Sequence, residues 1–180
     1  MSCERGFIRK AGGLGLWALL SMALLAACQA DSEPPPQGPP QGWTWMSGSD
    51  TRYQAGAYGI KGVAAPSNLP GGRHGAASWA DPSGKLWVFG GDGRDGGGWF
   101  SLLNDLWMYD PASGEWTWVA GNNLGYDPGH YGTRGLAAPA NIPGARGGAM
   151  TWTDSDGKLW LFGGFGYVSE GEFGELNDLW

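Results

Sequence analysis

A glycine run, two cysteines, two histidines and two carboxylates are the residues whose types and spacing could carry chemistry. Gly91, Gly93 and Gly96 come after an apolar stretch as G-x-G-x-x-G, the form in which backbone amides cradle a dinucleotide pyrophosphate. That chemistry needs a helix to start at the last glycine. The next residues are instead WFSLLNDLW at 99–107, without amphipathic period, and a copy of the segment 73 residues on keeps Gly164 and Gly166 but has Ser169 in third place. Asp92 and Asp95 could offer oxygens to calcium, which needs six to eight; their copies are Phe165 and Val168. His74 and His130 do not recur and stand at different points of the repeat, a poor basis for a metal pair. Cys3 precedes an apolar run and Cys28 directly follows it, so the thiols build neither a disulfide framework nor a metal cluster. No Ser/His/Asp set or spaced pair of carboxylates stands out, and no cofactor is called for.

Cys28 has a different use. Residues 1–10 are basic, 11–27 are apolar, and small residues lead into the cysteine, which is the layout of a secretory signal. Seventeen apolar residues with three glycines make a poor permanent span. Leu25, Ala26, Ala27 and Cys28 resemble the bacterial lipobox, and that resemblance implies cleavage before Cys28 and acylation of its thiol. Several acyl chains are what stable anchoring requires, at ~0.8 kcal/mol per buried methylene. Gln29 after the cysteine, by the same resemblance, favours the outer membrane of a bacterial envelope. Residues 28–42 then form a lipidated tether: 29–42 hold five prolines and no large apolar side chain. As polyproline II this spacer reaches roughly 43 Å at ~3.1 Å per residue.

Net charge is −6, and losing 1–27, with three basic residues and one acidic, leaves about −8. That sign speaks against nucleic acid and against anionic headgroups as partners.

The positioning scaffold is written in a repeat. Residues 43–107 align with 116–180 without a gap, with 35 identities in 65 positions, and ten of the eleven tryptophans after the signal are locked to the 73-residue interval. Within a copy, 73–80 runs into the turn DPSG and then LWVF at 86–89, closed by Gly90 and Gly91, as a hairpin. A second hairpin joins 106–109 to 116–119 through DPASG, with residues 92–103 expected as a loop between the two. Four antiparallel strands per copy predict an all-β chain of propeller type.

The apolar run before a diglycine (Gly90-Gly91, again Gly163-Gly164), with Tyr109 and Trp116 further on, resembles the kelch repeat, although kelch units run nearer fifty residues. The resemblance implies a kelch-type β-propeller over 43–180, with 73–119 as one blade, 146–180 as an incomplete second, and 43–46 as a strand closing the ring. Two blades cannot close a propeller, so a fragment, or a truncated chain without stable function, is one expectation. Among kelch proteins stands a copper radical oxidase, galactose oxidase. Its chemistry implies two histidines, a tyrosine and a cysteine crosslinked to a tyrosine; no cysteine follows Cys28, so that reading would depend on residues outside this sequence.

The expected function is therefore non-catalytic binding of a protein or carbohydrate ligand. In a four-stranded blade one end carries only tight turns and the other the long segments 47–72 and 92–103, with copies 120–145 and 165–176, where binding residues gather. Trp99, the unpaired tryptophan, stands opposite Glu172 and beside Arg94 and Asp95. Its indole suits a sugar face or an apolar side chain, or packs on a neighbouring blade. Arg73 and Arg146 open the inner strands and could ring a channel mouth, or pair with Asp105 and Asp178. Tyr53, Tyr58, Pro66, Asn68 and Pro70 recur as Tyr126, Tyr131, Pro139, Asn141 and Pro143, and are expected to pack the loops.

Overall fold

Strand-forming tryptophans and valines, alternating with polar residues and cut by Asp/Gly turns, leave no room for helix, and among the described residues there is none. The computed structural model describes residues 42–169 and 172–180; the signal, Cys28 and all but the last residue of the tether lie outside them. The strands are β1 (Ala64–Ala65), β2 (Arg73–His74), β3 (Ala77–Ala80), β4 (Leu86–Arg94), β5 (Phe100–Asp110), β6 (Glu115–Ala120), β7 (Arg146–Gly147), β8 (Met150–Thr153), β9 (Leu159–Ser169) and β10 (Glu172–Leu179).

They form two antiparallel sheets. In the first the order is β1-β6-β5-β4, and β2 and β3 both pair with β4 as two halves of one broken edge strand, the strand that the blade pattern expects innermost. In the second, β10 pairs β9, which in turn takes β7 and β8 in the same broken arrangement. The turn between β3 and β4 is held by Asp81, whose Oδ1 accepts the Ser83 and Lys85 amides while Oδ2 accepts the Trp87 indole N–H at 2.8 Å. Asp154 does the same for Trp160. This is why aspartate and tryptophan recur six residues apart: one side chain closes the turn and ties down the strand that leaves it.

The sheets meet through their inner strands, within the compact unit Thr44–Trp180. The Gly148 amide donates to Gly75 O at 2.8 Å, the Trp79 indole to Trp160 O at 2.9 Å, and the Thr151 hydroxyl to Ser78 O at 3.1 Å. Between them Ala77, Phe89 and Leu161 form a buried cluster on which Trp79, Leu106, Ala149 and Trp180 pack.

One departure from the sequence reading bears on function. The segment 92–103 is not a loop: β4 runs to Arg94 and β5 starts at Phe100, leaving a tight turn at 95–99, and β9 and β10 likewise run through most of 165–176. Its glycines look like chain breakers, yet Gly93 is in register with Arg73, and a Cβ there would lie 2.8 Å from Gly72 O. Glycine marks a close backbone approach inside a strand. Residues 43–46 carry no strand among the described residues and are exposed, the Trp45 indole donating to nearby Ser47 O; a strand that closes a ring would take its ladder from the last blade.

Candidate functional site

Arg73 and Arg146 each pair with the aspartate of their own copy, Asp105 and Asp178. The Arg73 guanidinium grips Asp105 in bidentate fashion at 2.6 and 2.8 Å, and its remaining N–H groups donate to Gly71 O and Gly90 O. Asp105 is fully buried and also accepts the Tyr58 hydroxyl and the Trp107 indole N–H, both at 2.6 Å. Burial pulls Arg73 down, but the Asp105 carboxylate outweighs it and raises the guanidinium above its ordinary value; burial and Asp105 push the Tyr58 hydroxyl up. The second copy repeats the arrangement with Arg146, Asp178, Tyr131 and Trp180. Two arginines so engaged serve the fold, because their planar forks match a carboxylate and most of their N–H groups are already spent on it and on backbone carbonyls.

The second cluster is less enclosed, with 17% of the Asp178 side chain exposed. Burial pushes the Asp178 carboxyl up, but the bonds from Arg146, Tyr131 and Trp180 win and hold it at about 2. Relative to an ordinary value of 3.8 the fold favours the ionised form, so its contribution is complete above about pH 4 and is lost as the pH falls towards 2. Thermal melting across that window is expected to show a falling Tm, with a shallower fall in Asp178→Asn; equal slopes would mean that other carboxylates govern acid stability.

Asp95 is likewise structural. It is buried, its Oδ1 accepts the Gly97 and Trp99 amides at 2.9 Å, and its Oδ2 accepts Gly125 N at 3.2 Å. The carboxylate closes the β4–β5 turn and fastens the following long segment to it. Its neighbour Arg94 donates to Gly98 O and lies with its guanidinium 4.9 Å from the Tyr53 ring centroid and 5.8 Å from that of Phe100. Trp99 is the residue this turn presents, with 75% of its surface in solvent. Of the three candidates in the segment, only Trp99 stands free at the surface.

Around it the structure assembles a group the sequence reading missed. Tyr58 and Asn68 do pack the loops: Tyr58 sits against Trp107 and Trp118, and Asn68 donates to Val63 O and Trp116 O. Tyr53, from the same repeated set, is 68% exposed, and Phe100, Tyr126 and Phe173 are also exposed. Tyr53 and Tyr126 adopt left-handed φ of 64° and 62°, which costs a side-chain-bearing residue about 1–2 kcal/mol. Their recurrence in both copies suggested packing, and nothing local marks a ring that faces water.

The segments meet at this end of the sheets. Gly56 N donates to Asp95 O, Gly96 N to Asn123 O, and the Tyr126 hydroxyl to Phe100 O at 3.0 Å. A cavity of 430 Å³ is lined by Lys61, Trp118, Asn122, Asp127 and His130. Its charges are each engaged by neutral neighbours: Lys61 donates to Gly121 O and lies 4.3 Å from the Trp118 centroid, while Asp127 accepts from the Asn122 side chain and the Gly129 amide. Among the described residues no three of His, Cys, Asp and Glu gather as a metal site.

No family model matches the chain, and no curated protein matches it. Among solved structures, that of YjhT is similar at a TM-score of 0.38 and 26% identity, over 55% of this chain and 23% of that one. The chain thus spans under a quarter of the length of that structure.

Proposed function

We propose that the chain supplies blades of a kelch-type β-propeller, held at a bacterial envelope by acylated Cys28, and that it binds a protein or glycan ligand without catalysing a reaction. Binding takes place where the β4–β5 and β9–β10 hairpins meet the segments 47–72 and 120–145. The observation that carries this reading is the set of exposed aromatic rings gathered there, with Trp99 at its tip. Soluble chains seldom leave that much aromatic surface in water without a partner for it. Repeated sheets joined through their inner strands, with a diglycine and a buried Arg–Asp pair in each, support the propeller reading. The lipobox and the proline tether support the envelope.

A glycan array and a pull-down with the full-length protein test the proposal. The expected result is a ligand whose binding weakens about tenfold or more in Trp99→Ala, with melting unchanged, because truncating an exposed anchor costs about 1–2 kcal/mol of binding and under ~0.5 kcal/mol of stability. Cys28→Ala is expected to shift the protein from the membrane fraction to the soluble one. Blank arrays together with copper-dependent oxidation of alcohols would overturn the binding reading in favour of an oxidase.

A further inference from the structure

The exposed rings are a repeated feature. Tyr53, Arg94 and Phe100 in the first copy stand where Tyr126, Tyr167 and Phe173 stand in the second, 73 residues on. In the first, Arg94 bridges the two rings at 4.9 and 5.8 Å. In the second, Tyr167 takes the same place, 5.4 Å from Tyr126 and 5.5 Å from Phe173. Each copy therefore builds a three-member row with a planar group in the middle. The Tyr126 hydroxyl, bonded to Phe100 O, joins the rows. The left-handed tyrosine occurs once in each row, so the strain that turns a ring outward recurs with the rest of the device.

We infer that these rows form a track for a neutral polysaccharide, each copy holding one stretch of sugars; this rests on the binding reading above. Exposed rings suit the C–H faces of pyranoses, and with Tyr126 at 74° to Tyr167 and Phe173 at 40° to it the second row offers them at several angles, as a twisted glycan chain needs; the tyrosine hydroxyls and the Arg94 guanidinium offer hydrogen bonds at the ring edges. A receptor that repeats fits a ligand that repeats, and two weak rows joined on one scaffold gain affinity by effective concentration without any new contact. An anionic polymer is disfavoured by a chain of net charge −6. An apolar peptide anchors in enclosed, desolvated pockets, whereas here exposed rings from the hairpins and from the segments folded against them lie in a row.

The test is affinity electrophoresis of the full chain in gels containing a soluble β-glucan, an α-glucan, a mannan or, as the anionic control, alginate, followed by titration with oligosaccharides of the retarding polymer. Retardation by at least one neutral polymer is expected, with affinity rising about tenfold or more once the oligosaccharide is long enough to reach both rows. Phe100→Ala and Phe173→Ala should each remove that length dependence, while Phe100→Tyr, which keeps the ring, retains it. Retardation by alginate alone, or affinity independent of length, would overturn the track. If no neutral polymer binds but an apolar peptide array captures the protein and Phe100→Ala abolishes the capture, the polysaccharide is wrong and the binding face stands. If neither binds, both readings fall.

Discussion

Asp105→Ala is expected to cost about 3–5 kcal/mol of stability, the loss observed when one partner of a buried ion pair is removed. Asp105 is fully buried, and its carboxylate receives the Arg73 fork, the Tyr58 hydroxyl and the Trp107 indole. Truncation leaves a nearly buried guanidinium without its countercharge and two further donors without an acceptor. Against a total of about 5–15 kcal/mol for a folded domain, much of the fold's margin disappears. Urea unfolding followed by tryptophan fluorescence measures this directly. Asp178→Ala is expected to cost less, because its copy of the cluster is partly open to water. A double replacement, Arg73→Met with Asp105→Leu, should recover stability relative to Asp105→Leu alone, since it removes the stranded charge. A cost below about 1 kcal/mol for Asp105→Ala would show that the cluster does not hold the sheet together.

The second large effect is expected at the diglycine. Gly90 has φ +62°, and a Cβ there would lie 2.6 Å from Arg146 O and 2.8 Å from Leu103 O. One carbonyl belongs to the next strand of the same sheet and the other to the inner strand of the neighbouring sheet. Gly90→Ala therefore combines left-handed strain with a collision against two backbones, neither of which yields as a side chain would, and should destabilise by about 3 kcal/mol or more. Gly84→Ala is the control, because its φ is +84° but nothing lies within 4 Å of the added carbon. It should cost only the strain, about 1–2 kcal/mol. Equal losses in the two variants would mean that the close contact between the sheets contributes nothing. The predicted difference also gives each glycine of the pair a physical meaning: Gly90 is where the neighbouring sheet comes too close for a side chain, and Gly91 where the chain at His74–Ala76 of the same sheet does.

The aromatic track depends on both of these features, since the Arg–Asp clusters and the glycine contacts fix the hairpins that carry it. Trp99, Phe100 and Phe173 themselves bear little on stability, being exposed, so replacing them should weaken binding while melting stays unchanged. A loss of stability in Phe100→Ala as large as its loss of binding would contradict that.

Strand content, antiparallel pairing and the 73-residue repeat were all legible in the residues, because each is written locally. Alternating apolar positions, Asp/Gly turns and a tryptophan six residues from its aspartate act within one hairpin. The pairing of Arg73 with Asp105 was legible as one of two uses, since both residue types recur together in the copies. Tertiary structure decided the features that local signals could not express. Gly91 and Gly93 carry the composition of a loop, yet β2 passes against them and they belong to a strand. Asp95 and Trp99, four residues apart in one turn, separated into a buried turn-closing carboxylate and an exposed ring. Tyr53 and Tyr58 recur equally, yet one faces water and the other lies beneath Trp118. Burial of Asp95 and Tyr58 is set by groups distant in the chain: Gly125 against Asp95, and Trp107 and Trp118 against Tyr58. Spacing along the chain carries the hairpins; which repeated side chain is left outside depends on the segment that folds back over it.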